Sequence, residues 1–449
     1  MASMQWQRLL ARTRLGREER DTAPMSKGRS VFQQDLDRVV FCSAFRRLQN
    51  KTQVHSFPGN DHVRNRLTHS IEVASVGRSL GTLVGLQLPH ICAAAQVSPE
   101  ELGHIVHAAA LMHDIGNPPF GHSGEEAIRH WFCHWQQPCK KDLNDAQRLD
   151  FEFFEGNAQG LRILTQLENH TRAGGLQLTY ATLAAFTKYP CTAAAIQVKS
   201  AHADYIGIRK NGIYMAELEA FARVAEHLGL VPLNSMTHAW ARHPLVYLLE
   251  AADDICYVVV DLEDAVELGI VPDKQVREYL LGFLPSDERE SLTQAKIGRL
   301  RAKVIGCLIE AVAHAFVEHE QAMLAGAFND ELLNVTAHAS LVREIKDFAR
   351  DHIFQSTRKT TMELSGYTII HGLLDAFADL VPFLKTHQWD LNALRGKHQK
   401  LAQVMGLNEL EDIQSTYDAL LRVTDYVGGM TDRFALDMYR SLNGYTLGG

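Results

Sequence analysis

Apolar residues recur every three to four positions along almost the whole chain, which is the period of an α-helix with one buried face. Leu102, Ile105, Val106, Ala109 and Met112 form one such stripe. Leu245, Leu248, Leu249, Ala252, Cys256 and Val259 form another. Pro244 stands where a first-turn proline belongs, and Gly269 follows Leu268 as a helix-ending glycine, so a helix of about seven turns is predicted between them. Shorter helices are predicted over Thr68–Gly81, from Glu101 to His113-Asp114, and over Thr179–Lys188, the last stopped by Pro190. The one strand-like segment is Tyr205–Met215, where Asn211-Gly212 could turn a small β-hairpin. Helical patterning then continues to Tyr439. The first 30 residues have weak periodicity and read as a mobile arm. No internal repeat, low-complexity run or Ser/Gly linker interrupts the chain. The expected fold is all-α: an N-terminal arm (1–30), a helical core (31–280) and a C-terminal helical region (281–449) packed on that core.

Composition narrows the class. Of 449 residues, 46% are hydrophobic and 22% charged, which fits a folded globular chain and excludes a disordered one. Lys and Arg number 45 against 53 Asp and Glu, a net charge of −8. That argues against a surface built to coat polyanions and leaves room for a local basic pocket. No run of about 18 uncharged apolar residues appears, so no membrane span is expected. The start, Met1–Arg20, lacks the apolar segment of a secretory signal. Seven scattered cysteines without a C-x-x-C pair argue against a disulfide framework and point to a reducing cytoplasm. Histidine is the anomaly: of 22, ten fall between His55 and His134.

The histidines lead to the chemistry. His69 opens a predicted helix, His113-Asp114 closes an apolar one, and Asp253 lies inside the long helix after Pro244. Burying an imidazole and a carboxylate at an apolar helix end costs several kcal/mol unless each is satisfied by the other or by a metal. His and Asp ligands without thiolate suit a divalent ion such as Mn, Mg, Fe, Co, Ni or Zn. The stripe through Ala252 and Cys256 means that one of Asp253 and Asp254 faces inward. After Asp114, Gly116, Pro118-Pro119 and Gly121 form a loop that cannot continue the helix and delivers His122. Ser123-Gly-Glu-Glu126 reads as a capping box, and His122 and Glu125 are within reach of each other. Arg46, Arg47, Lys51, Arg64 and Arg66 place five positive charges within one short segment opposed only by Asp61, as a phosphate clamp would.

The set His69, His113-Asp114 and Asp253 resembles the HD superfamily of metal-dependent phosphohydrolases. The likeness is closest to the bacterial deoxyguanosinetriphosphate triphosphohydrolase family. It is carried by Arg46–Val54, Arg64–Val73, Leu111–Glu125, Phe154–Gly160, Glu250–Ile255, Glu363–Tyr367 and Asp425–Asp432, and it spans roughly residues 30 to 442. The resemblance implies a metal held by His69, His113, Asp114 and Asp253. It implies His122 and Glu125 as the catalytic pair, either activating the attacking water or protonating the departing 5′-oxygen. It implies substrate contacts from Arg46, Arg64, Arg66, Lys188, Tyr189, Tyr257 and Asp261, with Gln53 near the sugar and Glu363 toward the base. The implied reaction converts dGTP, and other dNTPs where the pocket is broad, to deoxynucleoside and inorganic triphosphate. The compact Arg129–Phe153 segment leans toward broad dNTP use. A dNTP effector at a second site, single-stranded DNA as a further ligand, and a homo-oligomer, hexameric or dimer-built, are also implied.

Two other readings stand beside this one. The chain could be another HD-type nucleotide phosphohydrolase, which the Asn117–Glu125 loop disfavours, or a nucleic-acid-binding regulator using the pocket as a nucleotide sensor. Among the remaining histidines, His55, His62 and His107 read as neighbours of the site, and His90, His104, His130 and His134 as surface or packing residues.

Overall fold

The computed structural model describes residues 3–20, 28–52, 64–198, 204–353, 357–407 and 413–445. Gln53, His55 and His62 lie outside the described residues. The fold is all-α with a single two-stranded antiparallel sheet among the described residues.

Its centre is a pair of helices, Arg66–Gln87 and Pro99–Met112, crossed by Leu245–Glu267. The first begins with a reciprocal cap between Asn65 and Thr68, the second with one between Ser98 and Glu101 behind Pro99. Two glycines let the pair touch: a Cβ on Gly81 would lie 2.9 Å from the Gly103 Cα. The long helix matches its prediction almost residue for residue. Sixteen of its residues, from Leu245 to Ala265, are buried, so it is the axis on which the others pack.

The apolar side chains form two cores. The larger runs from Met4 to Ile353 and includes the helices Ile297–Leu324 and Ala339–His352. The smaller joins His122–His134 and Phe151–Ala158 to Thr357–Ala378 and Thr416–Gly428. The cores therefore do not divide at residue 280. Helices on either side of that position share one interior. Helix Thr357–Ala378 continues into a stretch, Thr360–Thr386, that by length and composition alone could cross a membrane. Half of it is buried here, through Ile370, Leu373, Leu374 and Phe377 in the second core.

Three expectations are corrected. The N-terminus is docked, not mobile, over its described part. Met4, Trp6, Leu9 and Leu10 are buried, and Trp6 Nε1 donates to Glu320 at 2.7 Å. Short elements anchored by single large side chains leave no period to read. The hairpin is not at Tyr205–Met215, where Asn211 is buried and Ile206–Ile208 forms a 3-10 turn. It pairs Pro232–Asn234 with Ala239–Trp240. The helix after the Pro-Pro loop starts at His122 behind Gly121, with no side-chain cap, so Ser123 lies inside the helix and cannot cap it.

His243 links the arm to the core. Its Nε2 lies 3.0 Å from the Leu9 carbonyl, and burial pulls it down to about 4. Between that value and the ordinary imidazole pKa of about 6.5, the unfolded chain binds the proton and the folded one does not. Stability contributed by neutral His243 is therefore complete above about 6.5 and is lost as pH falls toward 4, by about 3 kcal/mol. Denaturant unfolding at pH 7.5 and 4.5 should show a shallower loss in His243→Gln than in the native chain. Equal pH slopes would contradict the assignment.

Candidate active site

Three helices and one loop build the site. His69 projects from the first turn of Arg66–Gln87, His113 caps Pro99–Met112, and Asp253 lies in the third turn of Leu245–Glu267. Their ligand atoms lie within 4.8 Å of one another. His69 Nε2 is 3.1 Å and His113 Nε2 3.5 Å from Asp253 Oδ1. His113 Nδ1 sits 2.7 Å from the Ala110 carbonyl, which can only accept, so this nitrogen carries the proton. Burial holds His113 below the usual imidazole range, despite the pull of Asp114 and Asp253, and its Nε2 is left with a lone pair. Two imidazole nitrogens thus converge on one carboxylate oxygen, a donor set that fits a divalent cation.

Asp253 is the inward residue of the Asp253-Asp254 pair. Burial opposes its charge, yet Lys188, His113 and His69 together hold it well below the usual carboxylate range. Lys188 Nζ is 3.1 Å from Asp253 Oδ2, and the pairing raises this ammonium above its ordinary value against the opposing effect of desolvation. Asp254 turns away to Lys346 at 2.8 Å, and burial lifts it to about 7.

Asp114 stands beside the trio, outside it. Its Oδ1 is 3.6 Å from His113 Nε2 and accepts from Asn117 at 2.6 Å. Its Oδ2 accepts from Arg66 at 2.7 Å. Burial is outweighed by Arg66 and the histidines, so the carboxyl stays ionised. The loop that follows depends on glycine. At Gly116 a Cβ would strike the Gly156 carbonyl oxygen at 2.0 Å, and Gly121, at φ +59°, lies against the Arg66 guanidinium. Arg66 thereby connects the metal-side carboxylate to the residue just before His122.

His122 and Glu125 meet as their spacing suggested, with Nδ1 3.0 Å from Oε2. His122 is open to solvent and Glu125 is buried. Burial raises the Glu125 carboxyl, but His122, Lys210 and the Gly156 N–H, bonded at 2.7 Å, bring it below its ordinary value. An anionic carboxylate on Nδ1 fixes the ring and leaves Nε2 facing outward.

The other expected contacts are placed unevenly. Tyr189 lies against the buried Arg242, whose Nε donates to the Lys188 carbonyl at 2.7 Å and whose fork pairs with Glu250. Asp261 is buried and raised to about 7 by that burial, partly offset by His69. Tyr257 is half-buried, and burial, with Asp261 nearby, pushes its hydroxyl up to about 12. Glu363 is half-buried on the Thr357–Ala378 helix, and Arg46 is exposed. Arg64 departs from the clamp expected of it: its guanidinium is shared among Glu72, Glu263 and Asp264. Lys51 is buried with its ammonium on the Asn117 and Gly428 carbonyls. His107 has Arg78 and His104 as its charged neighbours, not the trio.

Residue-by-residue reading missed a second ring of charge. Glu155 accepts from Arg129, Lys210 and Asn157, each at 2.8–3.1 Å, directly behind Glu125. Only the Phe154-Glu-Gly-Asn157 segment hinted at it. Asp432 was also missed as a contact: it accepts from the Phe120 N–H at 2.9 Å and the Thr52 N–H at 3.0 Å.

Helical architecture, a histidine–aspartate trio at crossing helices and an adjoining His–Glu pair define an HD-type hydrolase. The family model for the HD domain matches residues 66–179, and the model for the phosphohydrolase-associated domain matches 333–441. A Pseudomonas aeruginosa protein named deoxyguanosinetriphosphate triphosphohydrolase-like is 43% identical, covering 98% of this chain and 99% of that one. A protein of the same name from Synechocystis is 38% identical over 99% of the chain and 100% of its own length. The Klebsiella pneumoniae deoxyguanosinetriphosphate triphosphohydrolase is 32% identical over 92% and 93%. The chain belongs to the bacterial deoxyguanosinetriphosphate triphosphohydrolase family.

The two adjacent aspartates give a direct test of the trio. In calorimetric titration with Mn2+, Asp253→Asn should weaken binding by roughly 100-fold or more, whereas Asp254→Asn should leave it unchanged. Unchanged binding in Asp253→Asn would remove Asp253 from the metal site.

Proposed function

We propose that the protein is a metal-dependent dNTP triphosphohydrolase of the reducing cytoplasm. It acts on dGTP and other dNTPs and releases deoxynucleoside and intact inorganic triphosphate. The observation that carries this reading is the converging His69–His113–Asp253 trio, joined through Asp114, Arg66 and Gly121 to the His122–Glu125 pair. His69, His113 and Asp253 would hold a Mn2+ or Mg2+ ion, with Asp114 at its edge. Bound there, a divalent ion supplies Lewis-acid polarisation of a phosphate oxygen and a template for the reactants.

The chain's own groups account for the remaining work. Glu125 stays anionic and fixes His122, whose Nε2 is the atom that exchanges a proton with the attacking water or the departing 5′-oxygen. The bond between the 5′-oxygen and the α-phosphorus breaks as water oxygen bonds to phosphorus. Lys188, Arg66 and Lys210 supply fixed positive charge for the phosphates. Arg64 is not assigned a phosphate, because three carboxylates already hold it. Tyr257 and Asp261 follow Asp253 at i+4 and i+8, and the proposed roles are packing against C2′ and accepting from the 3′-hydroxyl. A ring against C2′ would favour deoxyribose.

Chromatography of a dGTP reaction with Mn2+ should show deoxyguanosine and triphosphate in equal amounts. Diphosphate with dGMP would overturn the cleavage position. His122→Ala and Glu125→Gln should each lower kcat by roughly 100- to 10,000-fold with little change in Mn2+ affinity. Unaltered kcat in both would remove the pair from the reaction.

A further inference from the structure

Three of the histidines that the reaction does not use come together on another face. His130 and His134 sit one turn apart on the His122–His134 helix, and His371 reaches them from Thr357–Ala378. Ring centroids are 4.1 Å apart for His130 and His134, and 5.2 Å for His130 and His371. His130 and His134 are exposed and His371 is half-buried, so the group is open to solutes.

Two of the rings are fixed from behind by main-chain carbonyls. His134 Nδ1 lies 2.8 Å from the His130 carbonyl, and His371 Nε2 lies 3.1 Å from the Ala127 carbonyl. A carbonyl only accepts, so each of these nitrogens carries its ring's proton. In the neutral ring the other nitrogen then presents a lone pair, and a main-chain carbonyl behind an imidazole is the usual support of a metal ligand. His130 has no hydrogen-bond partner among the described residues. It lies between the other two, at 31° and 16° to them, so a shared ion requires it to turn edge-on, and it gives up no hydrogen bond in doing so. Burial, with His130 and His134 close by, holds His371 below the usual imidazole range, which favours the unprotonated ligand. Asp375, one turn beyond His371 and bonded to Trp131 at 2.8 Å, adds negative charge nearby.

We propose that His130, His134 and His371 form a second metal site, selective for a borderline transition ion such as Zn2+ or Cu2+ over Mg2+. Three imidazoles with no carboxylate in the set suit Zn2+ and Cu2+ and are poor ligands for Mg2+. An ion held there ties the two helices together. One begins with His122 and Glu125. The other carries Gly366, whose Cβ position lies 3.0 Å from the Phe120 ring in the loop before His122. The site would therefore act as a staple behind the reacting pair, through helix packing and not through substrate.

The test uses the untagged full chain and counts bound ions. Equilibrium dialysis with Zn2+, and d–d absorption with Co2+, should give two equivalents in the native protein. His130→Ala and His371→Gln should each bind one, as should His69→Ala through its intact second site. The double variant His69→Ala/His130→Ala should bind none. His371→Gln preserves a donor to the Ala127 carbonyl, so its loss of an ion reports ligation and not unfolding. Zn2+ should raise the melting temperature of His69→Ala by a few degrees but not that of the double variant. The proposal is overturned if the native chain binds only one equivalent and His130→Ala retains it. It is equally overturned if the second equivalent survives both His130→Ala and His371→Gln, which would make it adventitious. Loss of the ion in His69→Ala alone bears on the reacting site and leaves this one standing.

Discussion

A single inward-facing carboxylate organises this molecule. Asp253 lies in the middle of a helix whose other inward residues are Leu249, Ala252, Cys256 and Val260. An uncompensated ion there would cost several kcal/mol, so the fold must bring compensating charge to it. It does so from three separate segments: His69, His113 and Lys188. Each is then held in turn. Ala110 orients His113, and Arg242, paired with Glu250, grips the Lys188 carbonyl. The glycine contact at Gly81 and Gly103 brings the histidine-bearing helices close enough to meet. Packing and polar satisfaction point to one place, and that place can take a cation.

The C-terminal helices serve the same centre from behind. Asp432 holds the Phe120 and Thr52 N–H groups, and Lys51 joins the Asn117 and Gly428 carbonyls. Burial, with Arg47 close by, pulls the Lys51 ammonium down to about 7, so this tie is itself finely balanced. Arg162 connects Asp425 to Glu217 in the interior. Phe120 takes a left-handed backbone at φ +64°, which a non-glycine residue holds only under constraint. The Asp432 bond and the seat on Gly366 supply that constraint. The second helical region is thus part of the machinery that shapes the Asn117–Glu125 loop, which explains why one interior spans residue 280.

What the sequence revealed, and what it hid, has a physical pattern. The Leu245–Glu267 helix was legible because seven turns of burial leave a strong period. His122 and Glu125 were legible because their contact is local. The trio was legible only as a set, since no spacing links His69 to Asp253 across the chain. The docked N-terminus was hidden because Trp6 and Leu9 bury singly, without a repeat. The hairpin was misplaced because Asn211-Gly212 carries turn chemistry that a buried, irregular segment also uses. Arg64 looked like a phosphate ligand because charge density in sequence says nothing about which carboxylates wait in space. Lys210 and Glu155 gave no signal of their own, because their pairing is long-range.

The claim on which all of this rests is that the convergence on Asp253 is a metal centre. Anomalous diffraction at the manganese edge from crystals soaked in Mn2+ tests it most directly. A peak is expected within bonding distance of His69 Nε2, His113 Nε2 and Asp253 Oδ1. A peak elsewhere, with Lys188 still closed on Asp253 and no density among the three, would contradict it.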